Sequence, residues 1–474
     1  MRTYVVTLLL VLALQLLPLR RALGEDRLDL KYMYYQEDGG RIGVQSPAAL
    51  FETDLSPTLT IKLEGIYNAI SGATPTGIPP LPKEASRVVR VPSSNSSSSG
   101  GDDRENQDDD AEDRDEERGD EGEREDEGDD RRSGIGLRTL SRLAPNYAHY
   151  SGASSNPDPA PAPAPTSEPS SSSSNNDQPA DPAPAATPAP KPAPAPAKKV
   201  DTSEIEDERW AFNVDVTKRI GDHSVGGVLS ISTESDYESY GLAVRDAIDF
   251  NKKNTTLTLG AAYTHDLVDV FYQGNTENKD TVDLLVGLTQ VLSPLTLFTV
   301  NLSLSQVSGF MADPYKVVDL NGELVPETRP DNKEKHTLYL ALNQGVPDLN
   351  GAAEISYRYY DDTFGIQAHT LQLAWFQKLG AHFVLRPSVR LYEQTEADFY
   401  GLHFTGSPDD YSSDYRISAL RAIGYGIKLI WSPNTKCAFD IGYERYEQEG
   451  TDGVTPSEVY PGANVVVMGA RWWL

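Results

Sequence analysis

The fold is decided by the last eleven residues of the chain, which read NVVVMGARWWL from Asn464 to Leu474. From residue 466 onward one alternate set is entirely apolar, and it continues to the final residue. Its members are Val466, Met468, Ala470, Trp472 and Leu474. A two-residue period indicates a β-strand, and an apolar strand at the end of an exported chain is typical of a transmembrane β-barrel. We therefore expect this set to face outer-membrane lipid and the strand to be recognised by the barrel-assembly machinery.

The beginning of the chain has the pattern of a signal peptide. An apolar run from Val5 to Leu17 is followed by Ala22 to Gly24, so we expect residues 1–24 to be cleaved on export. An uncleaved anchor is the alternative, because Arg20-Arg21 lies close to the cleavage site. The run is shorter than the roughly 20 residues that a spanning helix needs. The expected destination is the outer membrane of a Gram-negative-type bacterium.

The acidic charge of the chain is concentrated in one segment. The formal net charge is −29, and residues 101–130 hold 19 acidic residues and four arginines, a net charge of −15. An acidic chain repels phosphate, which argues against nucleic acid as a ligand. The acidic residues lack the fixed loop spacing of a calcium site. We therefore favour a solvated, self-repelling segment over a cation site.

Strand-like alternation occurs in two parts of the chain, residues 25–77 and 205–474, which hold three and thirteen candidate strands. Between them, residues 78–204 comprise a serine run, the acidic segment and a Pro/Ala tract, compositions that predict disorder. The sixteen candidates are 26–36, 42–53, 58–69, 209–220, 223–234, 239–251, 254–265, 281–292, 295–307, 334–344, 350–361, 368–378, 381–394, 416–431, 436–448 and 464–474.

These segments predict an all-β fold, an antiparallel transmembrane β-barrel of about 16 strands with a long disordered insert after strand 3. Tight connections, such as 221–222 and 293–294, alternate with longer ones. That parity places the tight turns on the periplasmic side and the long loops, with the insert, on the outside. A secreted sandwich or propeller is the alternative. It is disfavoured because Tyr and Trp recur near strand ends, where a membrane girdle needs them.

Charged residues concentrate in the strand phase opposite to the apolar one. A basic residue facing the middle of the bilayer costs roughly 2–4 kcal/mol, so this sorting predicts which phase faces the lumen. Asp246 lies in the apolar phase, and we expect a β-bulge to turn it away from lipid. The predicted lumen-facing charges are Asp29, Lys31, Lys62, Glu64, Asp215, Arg245, Asp249, Asp283, Glu354, Arg358, Arg386, Arg390, Lys428, Asp440, Glu444 and Arg471.

The residues around strand 3 resemble an uncharacterised bacterial family of exported, outer-membrane β-barrel-like proteins. The resemblance rests on Asn68 to Gly77, which contains Ser-Gly-Ala-Thr-Pro, together with Glu37-Asp38 and Ser46-Pro47. It implies the barrel fold and no particular activity. Gly and Pro between Ser71 and Gly77 predict a turn that reverses the chain at the membrane edge. The alternative is a loop tucked into the barrel mouth.

No motif of catalysis is present: the sequence lacks a nucleophile elbow, a His-Glu-x-x-His helix, a P-loop and a cysteine pair. The seven histidines lack metal-ligand spacing, and Cys437 is the single cysteine. We therefore expect no cofactor, no metal and no enzymatic activity. The alternative is a hydrolase whose catalytic groups lie in the barrel wall.

Two functions remain open. The first is a porin-like passive channel of weak ion selectivity, because a barrel of this size is wide enough for an aqueous lumen. The second is a structural barrel that holds a periplasmic or surface protein, with salt-bridged charges filling the lumen and the insert acting as the recognition segment.

Overall fold

The structure is a computed structural model that describes residues 26–75 and 202–474, with side chains from 26 to 72 and from 207 to 474. The predicted signal peptide, 1–24, lies outside these residues, and so does the predicted insert as far as residue 201. Both stay predictions. No helix in the described part of the chain is long and apolar enough to cross a membrane.

The described residues form nineteen strands, sixteen of which close into one antiparallel barrel. The barrel strands are β1 (Arg27–Glu37), β2 (Gly43–Ser56), β3 (Leu59–Pro75), β4 (Thr202–Ile220), β5 (His223–Thr233), β6 (Tyr237–Phe250), β7 (Thr255–Val270), β8 (Asn275–Ser293), β9 (Thr296–Gly309), β12 (Asn332–Val346), β13 (Gly351–Asp362), β14 (Gln367–Leu379), β15 (Phe383–Gln394), β17 (Leu420–Asn434), β18 (Cys437–Gly450) and β19 (Ala463–Trp473). The three short strands are β10 (Val317–Leu320), β11 (Glu323–Pro326) and β16 (His403–Phe404). The sixteen-stranded closed barrel predicted from the sequence is confirmed.

The two ends of the barrel differ in the length of their connections. At one end, the turn end, seven connections are two to four residues long. Asn434 shows how such a turn forms, since its side chain accepts hydrogen bonds from the backbone N–H groups of Lys436 (2.7 Å) and Cys437 (3.1 Å). At the other end, the cap end, lie the long connections 310–331, 395–419 and 451–462, together with the link from β3 to β4. That the cap end faces outward stays a prediction.

The outer surface of the barrel carries an apolar band with aromatic residues at its edge. On β17 the exposed side chains run from Tyr425 to Trp431, six residues or about 20 Å along a strand. The rings of Trp431 and Phe439 lie 5.5 Å apart, and those of Phe439 and Trp472 lie 6.0 Å apart, at the turn end. Closed barrels with an even strand number and such a band, about 25 Å tall, are proteins of the bacterial outer membrane. The predicted localisation is confirmed.

The C-terminal strand closes the barrel against β1. Leu28 pairs with Trp472, and the backbone N–H of Leu474 donates to the Asp26 carbonyl. Of the predicted lipid-facing set, Met468 and Leu474 are 44 % and 52 % exposed, while Val466, Ala470 and Trp472 are half-buried. The opposite phase of this strand is not wholly charged. It includes Val465 and Val467, buried against Met33 inside the barrel.

The predicted turn at Ser71 to Gly77 is wrong as far as the structure describes it. β3 continues through this stretch to Pro75, which pairs with Thr202 of β4. Turn-forming residues occur here for a different reason: Gly72 has a φ of +134° and lies so close to the Arg41 backbone that a Cβ atom would collide with it. The tucked loop is likewise not seen for residues 71–75.

The predicted bulge at Asp246 is also wrong. The register of β6 with both neighbours runs through Asp246 without interruption. Asp246 stays in the outward phase and contacts His223 on β5, whose Nδ1 lies 2.7 Å from its carboxylate. Both residues lie toward the turn end, where an exposed polar pair meets the membrane edge rather than the middle of the bilayer.

Replacing the outward-facing Leu302 by arginine should destabilise the barrel, and replacing its neighbour Ser303 should not. Leu302 is 49 % exposed near the middle of β9, whereas Ser303 belongs to the opposite phase. We expect Leu302→Arg to lower the free energy of unfolding by about 2–4 kcal/mol, the cost of a basic side chain in lipid. Urea unfolding in lipid vesicles measures this. Equal effects of Leu302→Arg and Ser303→Arg would contradict the assigned phase.

Candidate functional site

Two long connections at the cap end fold together into one unit. These are residues 310–331 and 395–419, which we call the cap. β10 and β11 form a hairpin, and β16 pairs in parallel with β10, so the three short strands make a small sheet that joins both segments. A further bridge links Thr328 to Tyr411. The two segments therefore form a single body, although about 85 residues of chain separate their contacts.

The cap packs against the mouth of the barrel on several sides. Phe399 meets Phe364, in the β13–β14 turn, with ring centroids 4.9 Å apart. The hydroxyl groups of Ser418 and Tyr460 lie 2.6 Å apart, which ties the cap to the β18–β19 loop. On the opposite side Tyr315 donates a 2.8 Å hydrogen bond to Asp236, in the β5–β6 connection. The cap is thus held across the mouth.

A buried ionic network joins the two segments of the cap. Asp414 is 1 % exposed and accepts hydrogen bonds from Arg329 (2.8 Å) and Arg416 (2.8 Å to Oδ1). Arg416 also contacts Asp313 at 2.6 Å, and Arg329 contacts Glu327 at 2.7 Å. Arg329 and Asp313 belong to the first segment, and Asp414 and Arg416 to the second. Buried charges are tolerated only when paired and hydrogen-bonded, which this network achieves across the segments.

The network keeps Asp414 ionised. Burial alone would raise the pKa of this carboxyl, but Arg416, Lys316 and Arg329 together hold it well below its usual value. An acid with a lowered folded-state pKa stabilises the fold above its usual pKa and loses that contribution only as the pH falls through the lowered value. Burial raises the pKa of Glu327, although Arg329 opposes this shift. An acid with a raised folded-state pKa does not destabilise the fold as the pH falls, so mild acid weakens the cap through neither Asp414 nor Glu327.

A cavity of about 230 Å³ lies between the cap and the inner wall of the barrel. The wall contributes residues of β7, β8, β9 and β12. The cap contributes residues 310–313 and 329 of its first segment and residues 414, 416 and 417 of its second. Five basic side chains line it, namely Lys279, Arg329, Lys333, Lys335 and Arg416. Three acidic side chains oppose them, namely Asp266, Asp313 and Asp414. The charges that line the cavity therefore carry a formal excess of two positive charges, five against three.

Eight of the sixteen charges predicted to face the lumen form mutual pairs. The four pairs are Asp29 with Arg471 (2.7 Å), Asp215 with Arg245 (3.0 Å), Lys428 with Asp440 (3.5 Å) and Glu354 with Arg386 (3.7 Å). Each pair joins strands that are neighbours or next neighbours in the barrel. Two of these pairs, Asp29 with Arg471 and Lys428 with Asp440, both act electrostatically on Lys31 of β1 and so form one local cluster of charges. The other two pairs lie on other strands of the wall.

The other eight lie outside these four pairs. Lys62 lies 3.3 Å from Glu52, Glu64 accepts a hydrogen bond from Asn213 (3.0 Å), and Asp249 accepts one from Thr256 (2.8 Å). Asp283 is 2 % exposed. The remaining four are half-buried, namely Lys31, Arg358, Arg390 and Glu444.

None of the sixteen predicted charges lines the cavity. The sequence reasoning missed the residues that do, Lys279, Lys333 and Lys335 on the wall and the cap residues. Lys333 and Lys335 carried a signal, since they have the same phase, one just before and one just inside the predicted strand 334–344. Among the described residues, no group of three or more His, Cys, Asp or Glu side chains is arranged to hold a metal ion.

The sequence matches one protein family over nearly its whole length. Residues 5–276 and 270–470 match the family described as protein of unknown function (DUF3570). The chain belongs to the DUF3570 family. This agrees with the exported barrel family inferred from the residues around strand 3. No curated protein matches the sequence.

Several solved structures are similar to this DUF3570 protein. CdiB from Acinetobacter baumannii is 6% identical, with a TM-score of 0.45 over 95% of this chain and 61% of that chain. The siderophore receptor PirA from Pseudomonas aeruginosa is 8% identical, with a TM-score of 0.37 over 95% and 62%. The outer membrane protein opdK from Pseudomonas aeruginosa is 9% identical, with a TM-score of 0.35 over 94% and 98%. The chain spans about six tenths of the length of CdiB and PirA.

Removing the charge of Asp414 should release the cap. In Asp414→Asn the buried Arg329 and Arg416 lose their shared anion, and breaking a buried pair on one side costs about 3–5 kcal/mol. We expect amide hydrogen exchange in residues 395–419 to accelerate while the barrel strands stay protected. Asp409→Asn, an exposed change in the same segment, is the matched control. Unchanged exchange in Asp414→Asn would show that the network does not hold the cap.

Proposed function

We propose that this protein is a passive solute channel of the outer membrane whose bore is narrowed at one end by the cap. The cap carries the proposal: two segments fold into the barrel mouth, pack on its inner wall and leave a charged cavity beside it. Barrels of sixteen or more strands enclose an aqueous lumen unless inserted segments fill it. A cap of loops narrows such a lumen without replacing it.

The charges of the wall support weak ion selectivity along the main bore. The sixteen predicted lumen charges comprise eight acids and eight bases, and four of each form the pairs described above. Balanced, paired charges create little net potential for passing ions. Selection then depends on the cap end, where the cavity lining has an excess of positive charge.

Conductance of the purified protein in planar bilayers tests the channel. We expect a small unit conductance from the wild-type protein and a several-fold larger or more frequent current from Asp414→Asn, because the released cap no longer narrows the mouth. Asp409→Asn should behave like the wild type. Absence of current at all voltages from both the folded wild type and folded Asp414→Asn would contradict the proposal.

A second candidate is a structural barrel that holds a protein partner. The four mutual ion pairs of the wall favour it, since charges paired with each other are satisfied without solvent or solute. In this case the insert between β3 and β4 would recognise a surface or periplasmic protein, and the barrel would anchor it.

Affinity purification from native membranes tests this second candidate. Because Pro75 and Thr202 are paired neighbours, a short turn can replace residues 78–199 without changing the barrel. We expect a stoichiometric partner with the full chain and its loss from the shortened chain, with heat-modifiable migration on gels as the control for folding. A partner that stays after the replacement, or no partner with the full chain, would count against recognition by the insert.

A further inference from the structure

The wall under the cavity has an unusual shape because a strand with short side chains lies between two strands that carry lysines. β9 lies between β8 and β12, and Val307 of β9 faces Thr281 on one side and Lys333 on the other. One rung further toward the cap end, Gly309 faces Lys279. Strands two apart are separated by about 10 Å. The lysines of β8 and β12 therefore flank a trough whose floor is formed by the short side chains of β9.

Two of the three wall lysines are compensated by carboxylates. Lys279 Nζ lies 3.2 Å from Asp266, its neighbour on β7. Lys333 Nζ lies 2.8 Å from Asp362, at the end of β13, and 4.2 Å from the centre of the Phe364 ring. These contacts fix the positions of both ammonium groups along the edges of the trough.

Lys335 is different. It is two residues from Lys333, so its side chain points to the same face of β12, and it lines the cavity. Within the described residues it has no ion pair and no hydrogen bond. Two acids, Asp283 and Asp362, act on it electrostatically, but neither forms an ion pair with it. Asp283 lies across Ser305 on the same rung, and Asp362 pairs with Lys333. A half-buried ammonium group without a partner is costly, and a bound anion would offset that cost.

The cap supplies no compensating charge for Lys335. Its acids Asp313 and Asp414 are engaged with Arg416 and Arg329, which are themselves cationic. The formal excess of positive charge in the cavity lining thus lies on the β12 wall, because the cap charges that line the cavity pair with one another.

We propose that the cavity is a binding site for a small organic anion, with Lys335 as the principal contact to its carboxylate and Lys333 and Lys279 as flanking charges. A volume of about 230 Å³ is well above the roughly 10–15 Å³ that one water molecule needs, so the cavity has room for a small organic acid. The inference rests on the proposed function in one respect: a site beside the narrowed mouth would select which solute passes through the channel.

Calorimetric titration of the purified, detergent-solubilised protein with succinate tests the site. We expect saturable binding by the wild type and at least tenfold weaker binding by Lys335→Met, which keeps the side-chain volume and removes the charge-assisted contact. Lys378→Met, a change at an exposed lysine of β14, should bind like the wild type. Succinamide, which has the same shape without charge, should not bind. Heat-modifiable migration on gels shows that each variant is folded.

Three results would overturn the site: no saturable binding by the folded wild type, equal binding by Lys335→Met, or equal binding of succinamide. The failure of the channel is separate, because it is read from bilayer conductance. Succinate binding that depends on Lys335 without any conductance would retain the site and reject the channel, and conductance without succinate binding would do the reverse.

Discussion

Closure of the sheet between β1 and β19 is the constraint on which the rest of the structure depends. In lipid no water is available to hydrogen-bond exposed backbone groups, so a sheet can cross a membrane only if it has no free edge. The pairing of Arg27 to Glu37 with Ala463 to Trp473 removes that edge along eleven consecutive residue pairs. Once the sheet is closed, each strand has one face toward lipid and one toward the interior. The apolar alternation of the sequence follows from this.

The interior must then solve the opposite problem, which is to place charges away from lipid without leaving them unpaired. Along the wall the solution is local: Asp29 with Arg471, or Asp215 with Arg245, across strands. At the mouth the solution requires the cap, because Arg329 and Asp414 lie far apart in the chain. Lys335 forms no such ion pair, and the proposed anion would supply its missing partner.

Period-two alternation was sufficient to predict the strands, because hydrogen bonding and lipid impose that period on every strand of a closed barrel. It could not predict the cap. The cap segments have no periodicity, and their contacts, such as that of Asp313 with Arg416, join residues 103 positions apart. At Ser71 to Pro75 the turn residues misled, because glycine was needed for a close approach to the β1–β2 connection rather than for a reversal. The inward position of Lys335 could have been predicted from the sequence, because in the predicted strand 334–344 it lies in the phase opposite to Leu338 and Leu340.

The site of the insert follows from the register of β3 with β4. These strands have 17 and 19 residues and pair without a shift from Leu59 with Lys218 to Pro75 with Thr202. Closing a long connection costs only about 0.6 kcal/mol for each doubling of its length. A connection of 126 residues instead of a four-residue turn therefore costs roughly 3 kcal/mol, five doublings, which the additional paired residues of this long hairpin offset. The hairpin leaves the barrel at the cap end, so whatever the insert contacts is reached from the side where the cavity and its lysines lie.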